Sequence, residues 1–308
     1  MSAARAEVRI GIDLGGTKIA AVALDRQGNV CAEMRRTAPQ RDYAATLDAL
    51  ADVVTALEAD ADCRGARVGI GMPGSIAPRS GLVQNANSTW LNGKPLAADL
   101  ERRLGPRVRL ANDANCFALS EAVDGAGAGA ARVLGVILGT GCGSGFVVDR
   151  HIMDGPRGIG GEWGHNPLPW PGTEEWPGPA CWCGRQGCME VWVSGPALAA
   201  DHTRATGVSI DAAVIAAGAG AGDAAARATL NRHADRLARG LAVVVNVLDP
   251  DVIVIGGGLS KLAHLYDELP GRMAPHIFGE DQGVRVMPPR WGDAGGVRGA
   301  AWLWPVEI

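Results

Sequence analysis

Two stretches of this chain share one grammar: VRIGIDLGGTKIAAVALD at residues 8–25 and VLGVILGTGCGSGFVVD at 133–149 each read as strand, glycine turn, strand. Aliphatic residues flank each turn, and glycine supplies the backbone freedom that a tight connection demands. A chain that starts two of its parts in this way reads as an internal duplication, with one α/β unit used twice. Elsewhere the pattern changes to a helical period, with Tyr43, Leu47, Leu50, Val54 and Leu57 on one face of residues 43–60. Short strands are predicted at Arg67–Gly71, Arg107–Ala111, Arg132–Leu138 and Asp251–Ile255, and helical patterning covers 194–246. A further helix is expected from Ser260, and a small-residue helix over 292–304. Strands alternating with helices define the α/β class.

At 308 residues the chain can build two cores. The Gly/Ala stretch Asp124–Ala131 marks the edge of the second, and the boundary is expected between 113 and 131. We set it at 118: a small N-terminal lobe over 1–118, to which a C-terminal helix at 293–308 returns, and a larger lobe over 119–292. A net charge of −4 argues against nucleic acid as a partner, since a phosphate backbone calls for a basic face. No apolar run approaches the roughly 20 residues of a membrane span, and residues 1–10 contain no apolar leader core. The expectation is a cytoplasmic protein with neither membrane nor nucleic acid as partner.

The first turn, Asp13-Leu14-Gly15-Gly16-Thr17-Lys18, sets backbone amides, a hydroxyl and a cation beside one carboxylate, as wrapping a phosphate and facing its magnesium ion requires. An ordinary hairpin turn is the plain alternative. The second turn contains Gly139, Thr140, Gly141 and Gly143, again with open amides and a hydroxyl. Two such turns facing one another across a cleft are the arrangement of the actin-like ATPase fold. A G-x-G-x-x-G match at Gly69, Gly71 and Gly74 is rejected as a dinucleotide site, because Pro73 interrupts it and no acidic residue follows at the right distance.

Asn112-Asp113 ends a strand, so Asp113 is placed either to accept a proton from a substrate hydroxyl or to cap the following helix. Locally the two readings weigh the same. Glu162, His165 and Glu190 tip the choice towards chemistry, because with Asn112 and Asp113 they form a set of acceptors and donors suited to a sugar. Of seven cysteines, three crowd into Cys181, Cys183 and Cys188. With His165 they supply the four nitrogen and sulfur ligands of a closed structural zinc site. That metal would staple the Gly-, Pro- and Trp-rich loop 155–192, with His165 serving zinc and sugar alike. Trp163, Trp170, Trp176, Trp182 and Trp192 lie in this loop, most of them expected to pack around the metal.

Taken in order, Asp13–Lys18, Gly71-Met-Pro-Gly74, Asn112-Asp-Ala-Asn115, Leu138–Gly143, Gly161-Glu-Trp-Gly-His165, Cys181–Cys188 and Val254–Gly258 resemble the ROK (repressor/ORF/kinase) family along the whole chain. The resemblance implies a two-lobed, actin-like (ribonuclease H-like) fold with a zinc-stapled loop in the second lobe, ATP with Mg2+, a structural Zn2+, and a homodimer. It implies Asp113 as catalytic base, and sugar contacts from Gly74, Asn112, Glu162, His165 and Glu190. Nucleotide and phosphate contacts fall to Asp13, Gly15, Gly16, Thr17, Lys18, Gly139, Thr140, Gly141, Gly143, Gly257 and Gly258, with Asp13 towards magnesium. Within the family, Asn85–Gly93, His165–Trp170 and residues 296–305 resemble fructokinases of mannokinase type, and imply phosphorylation of fructose at its 6-hydroxyl. N-acetylglucosamine kinase and glucokinase are the alternatives. A sugar-responsive repressor is the reading from a different class, disfavoured because only twelve residues precede Asp13.

Overall fold

The computed structural model describes residues 8–305. The chain first runs β1 (Arg9–Leu14), β2 (Lys18–Leu24), β3 (Val30–Thr37), α1 (Tyr43–Asp60), β4 (Arg67–Met72), β5 (Ser75–Ile76), β6 (Val83–Gln84), α2 (Leu96–Leu104), β7 (Val108–Asn112) and α3 (Asp113–Val123). It continues through β8 (Arg132–Leu138), β9 (Cys142–Val148), β10 (His151–Ile152), α4 (Glu190–Val193), α5 (Gly195–Thr206), α6 (Ala212–Gly220) and α7 (Ala224–Leu248). The last elements are β11 (Val252–Gly256), α8 (His264–Met273), β12 (Val286–Met287) and α9 (Gly295–Ala301). The absence of a leader in residues 1–7, and the end of the terminal helix at 306–308, are expectations that lie outside the described residues.

Two sheets repeat one strand order, β3-β2-β1-β4-β7 and β10-β9-β8-β11-β12. In the first, β1 pairs antiparallel with β2 and parallel with β4. In the second, β8 pairs parallel with β11, and β9 antiparallel with β10. The matching order is what duplication of a strand–turn–strand unit produces. Two compact units divide the chain. Of the described residues, one takes those up to Gly129, Gly145–Gly160 and those from Asp293 on; the other takes Ala130–Ser144 and Gly161–Gly292. A division at 118 would cut α3, which the first unit keeps whole.

Alternation along β1 and β4 decides how the first unit packs. Ile10, Ile12, Leu14, Val68, Ile70 and Met72 join Leu50, Val53, Val54 and Leu57 of α1 in one core. The opposite face of the two strands carries Gly11, Gly69 and Gly71 beside Arg9, Asp13 and Arg67. A Cβ on Gly11 would stand 2.1 Å from the carbonyl oxygen of Val297, and one on Gly69 1.7 Å from that of Ala300, so α9 lies directly on the sheet backbone. Gly71 faces Cys116 of α3, and Gly74 turns the chain at φ +69°. The glycines of the rejected dinucleotide match therefore serve helix packing and a turn.

Helices α3 and α9 approach one another just as closely. A Cβ on Gly299 would lie 1.6 Å from the carbonyl oxygen of Cys116, which no side-chain rotation relieves. Gly299→Ala should destabilise the protein by about 3 kcal/mol or more, at the upper end of overpacking costs, as read from its urea midpoint. A loss below about 1 kcal/mol would show that the helix pair can slide apart.

The second unit departs from the expected pattern at helix ends. The patterning over 194–246 resolves into α5, α6 and α7, because Gly207 (φ +75°) and Gly222 (φ +96°) take left-handed conformations that end a helix. Ser194, Asp211 and Asp223 cap the three N-termini with their side chains. The helix expected from Ser260 is a 3-10 turn over Gly258–Lys261 followed by α8, and the small-residue helix is confined to Gly295–Ala301. Among the described residues no helix is long and apolar enough to cross a membrane.

Candidate active site

In the first unit, β7 delivers its last residue as the cap of α3. Asn112 Oδ1 accepts from the amides of Ala114 (2.9 Å) and Asn115 (3.3 Å), and Asn112 Nδ2 donates to the Gly74 carbonyl (3.0 Å). Capping, the plain alternative for Asp113, is thus done by Asn112. Asp113 is the first residue of the helix, solvent-exposed, with Oδ1 accepting from the Ala114 amide at 2.8 Å. Gly74 fits its turn because a Cβ there would strike the Gln84 carbonyl oxygen at 2.3 Å.

Asp13 sits on the glycine face of β1, with α9 against it at Gly296. Burial, and then the charge of Asp113, push its carboxyl from an ordinary 3.8 up to about 6. The loop beyond it closes through the Gly15 amide on the Lys18 carbonyl (2.9 Å), leaving Gly16, Thr17 and Lys18 at the surface. Since the folded protein holds the Asp13 proton more tightly than the unfolded chain, the resulting stability is full below about 3.8 and is lost as pH rises towards 6. Asp13→Asn, which mimics the neutral form, should be more stable than wild type at pH 8 by about 2–3 kcal/mol. The difference should shrink towards pH 4 in urea melts. Equal pH dependence of the two proteins would contradict the raised carboxyl.

In the second unit, His165 comes from a 3-10 turn over Trp163–His165, and the cysteines from the segment ahead of α4. One ligand atom from each of His165, Cys181, Cys183 and Cys188 lies within 4.8 Å of all the others. Cys181 Sγ stands 3.7 Å from His165 Nδ1, and Cys183 Sγ 3.6 Å from Cys188 Sγ. A zinc tetrahedron with bonds of about 2.0–2.3 Å has edges of about 3.5–3.8 Å, so this donor set fits the ion. His165 Nδ1 faces the sulfurs, and Nε2 is the nitrogen left for a second task.

Glu190, at the start of α4, ties three parts of this unit together. Its Oε2 accepts from the Cys142 amide in the second glycine turn (3.0 Å), and its Oε1 from the indole Nε1 of Trp182, between Cys181 and Cys183 (2.6 Å). A Cβ on Gly141 would come within 2.8 Å of Oε2, and one on Gly164 within 2.0 Å of the Cys142 carbonyl oxygen. Glu162 has an exposed tip, yet the protein around it disfavours its charged form and raises its carboxyl; His165 opposes this rise and Glu190 adds to it. Glu162, His165, Glu190 and the turn holding Gly141 and Gly143 are therefore gathered in one place.

Of the five loop tryptophans, Trp163 and Trp192 are buried, whereas Trp170, Trp176 and Trp182 are 54%, 74% and 70% exposed. The expectation that most of them pack around the metal fails for Trp170 and Trp176, whereas Trp182, though exposed, lies edge-on against His165 of the donor set. Trp170 stacks on His276 at 4.8 Å. The loop is latched to α7 instead by charge: Glu175 pairs with Arg236 (2.7 Å) and Arg239 (2.9 Å), and Arg239 also donates to the carbonyls of Pro169 and Trp170. These arginines hold the Glu175 carboxyl at about 2 against the opposing effect of burial.

A cavity of about 700 Å³ opens beside the second turn. Of the residues expected to meet the nucleotide, Gly139, Thr140 and Gly258 line it; Gly141, Gly143 and Gly257 do not. Gly257 has a packing task, since a Cβ there would lie 2.4 Å from the Leu138 carbonyl oxygen. The opposite wall is Ala212, Ala213 and Ala216 of α6 with Ala199 of α5, and Lys261 brings a cation. Sequence reasoning missed this wall. The only signal was the alanine-rich run 212–221, chemically blank on its own.

The family model for the ROK family matches residues 9–307. N-acetyl-D-glucosamine kinase of Photobacterium profundum is 39% identical over 297 residues, covering 95% of this chain and 98% of its own length. The enzyme of that name from Escherichia coli O127:H6 is 40% identical over the same shares. A crystal structure of a ROK hexokinase from Thermus thermophilus superposes with a TM-score of 0.84 at 33% identity, covering 96% of each chain. A ROK family glucokinase from Streptomyces griseus, in complex with glucose and AMPPNP, gives 0.75 at 28% identity over 96% of this chain and 98% of the other.

Proposed function

We propose that this chain, which belongs to the ROK family of sugar kinases, transfers the γ-phosphoryl group of ATP to the 6-hydroxyl of N-acetylglucosamine. The observation that carries the choice of sugar is the match to N-acetylglucosamine kinases at 39–40% identity over nearly their whole length. Fructose, expected from Asn85–Gly93 and His165–Trp170, gives way to it. Asn92 spends its side chain on the amide and carbonyl of Ala86, and the carbonyls of Pro169 and Trp170 accept from Arg239, so these residues serve local structure.

In this reading Asp113 accepts the proton of the sugar hydroxyl as its oxygen attacks the γ-phosphorus and ADP departs. Asn112 Nδ2, Glu162, His165 Nε2 and Glu190 hold the sugar. The alanine-walled cavity takes the nucleoside, with Thr140 and the amide at Gly258 towards its phosphates. The Gly16 amide and the Thr17 hydroxyl stabilise charge on the transferring group, while the Gly15 amide holds the turn through the Lys18 carbonyl. Magnesium would supply charge neutralisation next to Asp13, whose raised carboxyl marks a place where negative charge lacks compensation.

ADP release measured with N-acetylglucosamine, N-acetylmannosamine, glucose, mannose and fructose tests the assignment. N-acetylglucosamine should give a kcat/KM at least tenfold above the others. A preference for fructose would overturn the choice of sugar, and turnover of none would overturn the kinase reading for this chain.

A further inference from the structure

The exposed Trp182 is an odd residue to find between two zinc cysteines: a large apolar side chain left 70% in solvent gains little from burial. Its ring nevertheless has two defined neighbours. The indole Nε1 donates to Glu190 Oε1 at 2.6 Å, and the ring meets His165 edge-on, with centroids 5.0 Å apart at 85°. Both neighbours are sugar contacts in the function proposed above, on which this inference rests. Glu190 is held at its other oxygen by the Cys142 amide.

A glutamate has three side-chain torsions, and presenting it to a ligand in one orientation costs entropy unless something else has fixed it first. Here two donors on separate segments fix one oxygen each, and every carboxylate oxygen has a second lone pair with which to meet a sugar hydroxyl. We propose that Trp182 is a positioning residue for sugar binding: its indole N–H locks Glu190 in the sugar-accepting orientation. The zinc knuckle thereby sets the sugar contact as well as the loop.

Trp182→Phe tests this, because it keeps an aromatic ring beside His165 and removes the donor. Whichever hexose the wild-type protein turns over best, its KM should rise about tenfold in the variant, the effect of losing one charge-assisted hydrogen bond. The KM for ATP and a zinc content of one per chain should be unchanged. In a Glu190→Gln background the same substitution should add less than twofold, since its target has already been altered. A sugar KM within twofold of wild type in Trp182→Phe would overturn the proposal. So would zinc loss with every parameter falling together, or undiminished effects in the Glu190→Gln background, because Trp182 would then act on the fold or by another route. None of these outcomes touches the kinase reading, which the wild-type assay decides.

Discussion

Asp113→Asn should lower kcat by about 10²–10⁴-fold while leaving the sugar KM within a few-fold of wild type. The division of labour at the start of α3 makes this a clean experiment. Asn112 accepts from the amides of Ala114 and Asn115 and shares the first of them with Asp113, so the helix start survives the substitution. Asparagine keeps an oxygen for the Ala114 amide that Asp113 now receives, so the side chain keeps its place. What is lost is the ability to take a proton, equivalent to about 3–5 kcal/mol of barrier. A second readout comes from Asp13, whose carboxyl is raised by burial and then by the Asp113 charge. With that charge removed, the loss of stability between pH 4 and 6 should become shallower than in wild type. A variant retaining more than a tenth of wild-type kcat would remove Asp113 as the base.

The features that could be read in the sequence are those decided within a few residues. Both strand–turn–strand units, the helix at 43–60 and the Cys181–Cys188 spacing depend on local pattern, and each occurs where the pattern put it. Whether Asp113 caps or faces solvent depends on the backbone angles of Asn112, which spacing does not encode. The wall of Ala199, Ala212, Ala213 and Ala216 was illegible for another reason: alanine has no chemistry, and only the meeting of α5 with α6 turns four methyl groups into a surface. Glu175 and its arginines are some sixty residues apart, and a latch of that span leaves no periodic trace. Glycine misleads in the opposite sense. Gly69 and Gly71 look like a phosphate loop, yet they are glycine because α9 and α3 occupy the space where a side chain would be.

Removing zinc should abolish sugar binding while sparing nucleotide binding, and this contrast separates a local role for the metal from a global one. The four donors bring together the turn at Trp163–His165 and the segment Cys181–Cys188, whose other ties include the isolated bridges at Pro167–Cys188 and Ala180–Gln186, the Arg185 bond to the His165 carbonyl and the contacts of Trp182 with His165 and Glu190. Without the ion three crowded sulfurs and an imidazole lose their common partner, and structural zinc contributes its binding free energy directly to folding of such a segment. The Glu175 latch on α7 still anchors the middle of the loop, so the change should stop short of unfolding the unit. The cavity by Thr140 is lined by α5, α6 and the 258–261 turn, none of which contributes a ligand. Chelation, or Cys183→Ser at the half-buried ligand, should therefore take zinc from one per chain to none and weaken sugar affinity at least about 100-fold, as expected when an ordered contact set is dissolved. Binding of a non-hydrolysable ATP analogue should stay within about threefold, and restoring zinc to the chelated protein should restore the sugar site. Full activity in a protein shown to be metal-free would remove the zinc assignment. Equal loss of nucleotide and sugar binding would mean that the ion supports the whole second unit rather than the sugar-facing loop.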